Sequence, residues 1–126
     1  MNLAYTILYV QDVSRSLAFY QAAFGLRLRF QHESGDYGEL DTGTTRLAFS
    51  SRALMTQLGK NPAPADADAP CFEIAFSTGD VPAAVDRAVA AGAWLKQAPK
   101  DMPWGQTVAY VTDADGFLIE LCTPVS

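Results

Sequence analysis

The stretch "TILYVQDVSRSLAFYQAAFGLRL", Thr6 to Leu28, decides the fold, because the chain repeats its pattern as "EIAFSTGDVPAAVDRAVAAGAWL", Glu73 to Leu95. Each copy reads as a strand, then Asp-Val, then an Ala-rich amphipathic segment, then Gly and a second strand. In the first copy Leu17, Tyr20 and Phe24 recur at helical spacing, Asp12 or Ser14 is placed to cap the helix start, and Gly25 supplies a left-handed stop. In the second, Asp80 is the expected cap, Pro82 suits the first turn, Val85 and Val89 form the inner stripe, and Gly92 ends the helix. Phe24 and Trp94, within or just after these helices, are read as core.

After each helix the pattern changes to short runs punctuated by turn residues, which predicts antiparallel strands. In the first half these are "LRLRFQH", "DYGELDT" and "TRLAFSS"; in the second they are "AWLKQ", "GQTVAYVTD" and "FLIELCT", with the turn "DADG" before the last. Gly116 can take positive φ in that turn. The segment "GKNPAPADADAP" between the halves has no periodicity and reads as an exposed tether. The result is one α+β domain over residues 1–126: a βαβββ module over about 1–58, a linker over about 59–70, and a second βαβββ module over about 71–126.

The composition agrees with a single core. The chain has 126 residues, 49% hydrophobic and 18% charged, too few for two independent domains of usual size. A formal charge of -5 and a pI near 4.6 argue against an electrostatic grip on nucleic acid or an anionic membrane. No apolar run approaches the roughly 20 residues needed to span a bilayer, and "MNLAYTILYVQD" lacks a basic start and a cleavage pattern, so a cytoplasmic location is expected. Cys71 and Cys122 are too few for a disulfide scaffold and are read as reduced thiols, buried or lining a cavity. A catalytic Cys would need a base, and His32, the single histidine, falls in an expected loop.

Three quoted stretches carry a family resemblance: "LYVQDVSRSLAFYQAAFGL", its weaker echo "AFSTGDVPAAVDRAVAAGA", and "PWGQTVAYVTDADGFLIEL". In that order and over nearly the whole chain, they resemble the glyoxalase, bleomycin-resistance and extradiol dioxygenase superfamily, the vicinal oxygen chelate proteins. Ala114 departs from it, since the family's last turn commonly has Pro there. The resemblance implies two modules pairing into a curved, incomplete barrel whose concave face holds a small ligand, with helices outside and a homodimer as the usual assembly. Strand alternation then turns Tyr5, Ile7 and Tyr9, Glu73, Ala75 and Ser77, and Leu118, Glu120 and Cys122 toward the concavity.

Family members with metal chemistry hold a divalent ion with His from the first strand of each module and a carboxylate from the last strand. A further carboxylate can come from the end of the first module. Laid on this chain, the pattern keeps only the last-strand carboxylate, Glu120. The His positions fall on Tyr5 and Glu73, and the remaining carboxylate position on Ala48. Three roles stay open. Glu120, Glu73 and Tyr5 could hold one hard divalent ion through oxygen. Glu73 and Glu120 could act as an acid/base couple without metal, in an enzyme of lyase, isomerase or dioxygenase type. The favoured role, implied by the family's drug-sequestering branch, uses no cofactor: the cavity captures a small aromatic, cationic compound. Tyr5, Tyr9, Trp104 and Tyr110 would stack on it, Glu73 and Glu120 would pair its charge, and Ile7, Ala48 and Cys122 would line the wall. This expectation takes the acidic couple as coming from opposite halves of the molecule. A structural alternative pairs Glu120 with Arg46 or Arg29.

Overall fold

The computed structural model describes residues 1–125. The chain divides into two compact units, Met1–Pro64 and Ala65–Ser126, with the boundary inside the expected linker. The first unit contains β1 (Tyr5–Val10), α1 (Val13–Phe24), β2 (Arg27–Gln31), β3 (Tyr37–Asp41), β4 (Arg46–Ser51) and α2 (Arg52–Gln57). Its sheet runs β1-β4-β3-β2, with β1 parallel to β4 and the other pairs antiparallel.

Local chemistry sets the ends of α1. The Asp12 carboxylate accepts from the Arg15 N–H at 3.0 Å, so Asp12 and not Ser14 is the cap. Gly25 takes φ 68 and donates its N–H back to the Gln21 carbonyl. The inner stripe buries Leu17 and Tyr20 where α1 packs on β3 and β4, and the Tyr20 and Phe49 rings lie 5.0 Å apart. Phe24, at the end of the stripe, is half-buried, short of the core place expected for it. A Cβ at Gly38 in β3 would fall 2.5 Å from the Leu17 Cδ1, so the bare backbone there lets α1 lie directly on the sheet. The periodicity gave no sign of α2, a segment too short to show any. It starts because the Ser51 hydroxyl, at the end of β4, accepts from the Leu54 N–H at 3.1 Å.

The second unit repeats this order as β5 (Glu73–Ser77), α3 (Val81–Ala90), β6 (Trp94–Asp101), β7 (Thr107–Thr112) and β8 (Leu118–Cys122). Its sheet runs β5-β8-β7-β6, with β5 parallel to β8. Both βαβββ modules therefore stand as expected. The Asp80 carboxylate accepts from the Ala83 N–H at 3.1 Å, and Pro82 occupies the first turn. The buried stripe of α3 is Val81, Val85 and Ala88; Val89 is 44% exposed, contrary to the expected stripe. One residue further round the helix advances about 100°, which carries Val89 off the buried face.

Three other expectations are corrected. Strand β6 continues past "AWLKQ" to Asp101 and includes Pro99, which an edge strand with a register shift between Gln97 and Lys100 tolerates. Trp94 is 64% exposed instead of core, because it begins this edge strand on the face away from α3. Of the thiols, Cys122 is buried but Cys71 is exposed, in the loop before β5. Among the described residues, no helix is long and apolar enough to cross a membrane.

Candidate functional site

Strand alternation sorts each sheet into a helix-covered face and an open face. In β8, Ile119 and Leu121 are 0% and 2% exposed on the α3 side, which leaves Leu118, Glu120 and Cys122 on the other. Residues paired across strands share a face, so the register defines the open face of the second sheet as three rows. They are Trp94, Thr112, Leu118 and Glu73; Gln97, Tyr110, Glu120 and Ala75; and Lys100, Val108, Cys122 and Ser77.

Glu73 and Glu120 thus stand on adjacent parallel strands of one sheet. They do not come from opposite halves of the molecule. The Tyr110 hydroxyl donates to the Glu120 Oε1 at 3.3 Å. Burial, followed by the charges of Glu120 and Glu73, pushes the Tyr110 phenol up to about 12. The same influences, burial first and then Glu120, raise the Cys122 thiol, whose Sγ donates to the Phe76 carbonyl at 3.8 Å. A thiol held protonated beside carboxylates is a lining group and a poor nucleophile. His32, exposed in the β2–β3 turn, has its Nδ1 2.8 Å from the Ser34 Oγ.

The raised Tyr110 value has a checkable consequence. The folded state binds the phenolic proton more tightly than the unfolded chain, whose tyrosines titrate near 10. The stabilisation is therefore complete below about pH 10 and is lost as pH rises toward about 12. In an NMR titration of the tyrosine Cζ resonances, one signal should move only near pH 12 and be missing from Tyr110→Phe. All signals moving near pH 10 would contradict the arrangement.

The first sheet presents Tyr5, Ile7 and Tyr9 beside Arg46, Ala48 and Ser50 of β4, and Asp41, Glu39 and Tyr37 of β3. Glu39, only 9% exposed, accepts from the Tyr37 hydroxyl at 2.8 Å and lies 3.4 Å from the Arg29 Nε and 3.8 Å from the Arg46 Nε. Arg29 also meets Asp41 at 3.7 Å. The arginines proposed as structural partners of Glu120 are thus paired with acids of their own sheet. Burial, then the hydrogen bond and charge of Glu39, raises the Tyr37 phenol.

The two tyrosines expected to stack on a cationic compound already face cations of the chain. The Arg46 guanidinium lies over the Tyr5 ring at 5.7 Å, and the Lys60 Nζ lies over the Tyr9 ring at 5.3 Å and donates to its hydroxyl at 3.0 Å. Ile7 is 45% exposed and Ala48 fully buried. Trp104 sits exposed in the turn before β7, outside the three rows, with its Nε1 donating to the Gln106 Oε1 at 2.7 Å.

Sequence reasoning missed Trp94, the exposed aromatic of the acidic face, and Glu39. For Glu39 the signal was present: alternation in "DYGELDT" puts it on one face with Tyr37 and Asp41. It is also the cross-strand partner of Ala48. The carboxylate missing at Ala48 therefore stands one strand over, held by two arginines.

The donor set does not fit the family's metal chemistry. The Tyr5 hydroxyl accepts from the Arg46 Nη1 at 3.4 Å, Ala48 has no donor atom, and no imidazole stands on either first strand. Among the described residues, no group of three or more His, Cys, Asp or Glu side chains is arranged to hold an ion.

Comparison with known proteins gives this face its context. The sequence model of the Glyoxalase/Bleomycin resistance protein/Dioxygenase superfamily matches residues 2–121. A probable lactoylglutathione lyase of Vibrio cholerae is 30% identical over 128 residues, covering 95% of this chain and 88% of that protein. The Bacillus subtilis protein YraH, which carries no assigned activity, is 28% identical over 124 residues, 96% of this chain and 97% of its own. Among solved structures, a glyoxalase-related enzyme from Fulvimarina pelagi superposes with a TM-score of 0.85 at 23% identity, over 98% of this chain and 88% of that one. A glyoxalase/bleomycin resistance protein/dioxygenase family enzyme from Burkholderia phytofirmans gives 0.80 at 23% identity over 100% of both chains. The structural likenesses establish the fold, and the sequence match over nearly the whole length establishes the family: this chain belongs to the glyoxalase/bleomycin resistance protein/dioxygenase superfamily.

Proposed function

We propose that this protein binds a small aromatic compound carrying a cationic group, on the open face of its second sheet and without the family's two-His metal site. One observation carries this role. Two carboxylates on neighbouring strands share the phenol of Tyr110, on a face that also exposes the indole of Trp94. A cation at this face meets carboxylates on two adjacent strands, and the indole on the same face offers its ring to stacking. Such pairing contributes specificity as well as affinity. The positions of Tyr5 and Tyr9 modify the role expected of them: Arg46 and Lys60 already lie over their rings, so the stacking role passes to Trp94 on the second sheet.

Thermal-shift screening with cationic aromatic compounds, bleomycin among them, tests the proposal. A compound at 100 times its Kd stabilises by about 2.7 kcal/mol, a shift of several degrees for a chain this size. The shift should weaken with salt and disappear in the double variant Glu73→Gln with Glu120→Gln. Retention of the shift in that variant would remove the carboxylates from the site.

A second role is favoured by the 30% identity to a probable lactoylglutathione lyase. A lyase-type enzyme would work here either with one divalent ion held by an altered donor set or by carboxylate acid/base transfer. Metal analysis of protein purified without chelator separates the first of these: binding alone expects no stoichiometric ion, the metal enzyme about one per chain.

A further inference from the structure

We propose that Gln97 is a second anchor for the bound compound, a carboxamide donor that takes up a hydrogen-bond acceptor beside the group held by Glu73 and Glu120. This rests on the binding role assigned above to the open face of the second sheet, and it makes the class of compound more specific.

Three observations converge on Gln97. The first is its place in the middle row. It pairs with Tyr110 across β6 and β7, and Tyr110 pairs with Glu120 across β7 and β8, so all three project from the same face. The second is the backbone around it. The register shifts between Leu95 and Gln97 and again between Gln97 and Lys100, so the strand carries an extra residue on each side of this position. Bulges of this kind re-aim a side chain and are enriched beside binding sites. The third is the side chain itself. The Nε2 of Gln97 is buried, and among the described residues no acceptor reaches it. Buried amide groups are ordinarily satisfied, and an unpaired one costs free energy that a suitable partner recovers.

The chemistry of the row then constrains what binds. Ionised Glu73 and Glu120 can only accept hydrogen bonds, and the Gln97 Nε2 can only donate. Tyr110 spends its one hydroxyl proton on Glu120. A compound that satisfies the row presents a cationic or donor group at the carboxylates and an acceptor, such as a carbonyl, ether or ring nitrogen, at Gln97. Strands β6 and β8 are separated by β7, so their axes lie on the order of 10 Å apart. A benzene ring with substituents at both para positions is of that order of length.

Two probes differing only in the acceptor test this: benzylamine and 4-(aminomethyl)benzamide, titrated by NMR into the full chain and into Gln97→Met. The wild type should bind the benzamide about tenfold more tightly, a difference of about 1.4 kcal/mol. Gln97→Met should lose that preference and keep its benzylamine affinity. Equal binding of both probes by the wild type, or a preference that survives in Gln97→Met, would overturn the role of Gln97 and leave the carboxylate site standing. Benzylamine affinity unchanged in Glu73→Gln with Glu120→Gln would instead overturn the site beneath it. Failure of the wild type to bind either probe would overturn the proposal, and the Tm of free Gln97→Met adds a readout that needs no ligand. A thioether of similar length needs no partner, so the Tm should hold or rise; a fall of more than about 5 °C, about 1 kcal/mol on the usual scale, would mean that the amide serves the fold and would overturn the proposal.

Discussion

Phe49→Ala should lower folding stability by about 3–5 kcal/mol, the largest single effect expected in this chain. Phe49 is fully buried in β4, opposite Leu8 in the parallel ladder, with its ring 5.0 Å from that of Tyr20 in α1. Removing the ring takes away its transfer free energy and opens a cavity between sheet and helix that neither can close, because α1 already rests on the backbone of Gly38. For a domain whose whole stability is about 5–15 kcal/mol, the variant should approach the limit of folding at 37 °C. Urea denaturation monitored by circular dichroism measures this directly. A loss below about 1.5 kcal/mol would show that the first module repacks, and that the helix is not seated as described.

Gly116→Ala should cost about 2–4 kcal/mol, because two separate penalties meet at one residue. Gly116 holds φ 91 in the turn between β7 and β8, where an L side chain is strained. A Cβ there would also stand 2.7 Å from the carbonyl oxygen of Ala65, which is backbone and cannot swing aside as a side chain would. The turn has little freedom to adjust, since the Asp113 carboxylate accepts from the N–H groups of Asp115 and Phe117 at 3.0 and 2.9 Å. Gly92→Ala is the matched control. It has φ 115 and nothing within 4 Å of the added carbon, so it isolates the backbone term, about 1–2 kcal/mol. Equal losses in the two variants would mean that the segment at Ala65 yields at no cost. Because Gly116 adjoins β8, the larger loss should also disturb the position of Glu120.

How much of this was legible beforehand depends on the range of the interaction concerned. Asp80, Pro82 and Gly25 act on residues within four positions of themselves, and their roles followed from neighbours in the chain, as did the positive φ of Gly116 though not its approach to Ala65. Alternation placed Glu120 on the open face of β8 because period two is a property of the strand itself. The errors share one cause. Val89 was read as inner stripe from its spacing to Val85 and Trp94 as core from its place after a helix, but which apolar residue is covered depends on where α3 meets its sheet and which strand forms the edge. The stacking expected of Tyr5 and Tyr9 on a cationic compound overlooked Arg46 and Lys60, 41 and 51 residues further along the chain.

The amino-acid order by itself determined the twofold βαβββ plan, the glycine stops of α1 and α3, the cap of α3, and the absence of imidazole from the positions Tyr5 and Glu73, since these depend on local conformation and residue identity; it left the cap of α1 open between Asp12 and Ser14. Only the tertiary structure decided that Glu39 is paired with Arg29 and Arg46, that Trp94 is exposed on the same sheet face as the acidic pair, and that Gln97 shares a row with Tyr110 and Glu120. Those facts arise from strand register and edge position, and register is set when whole strands pair.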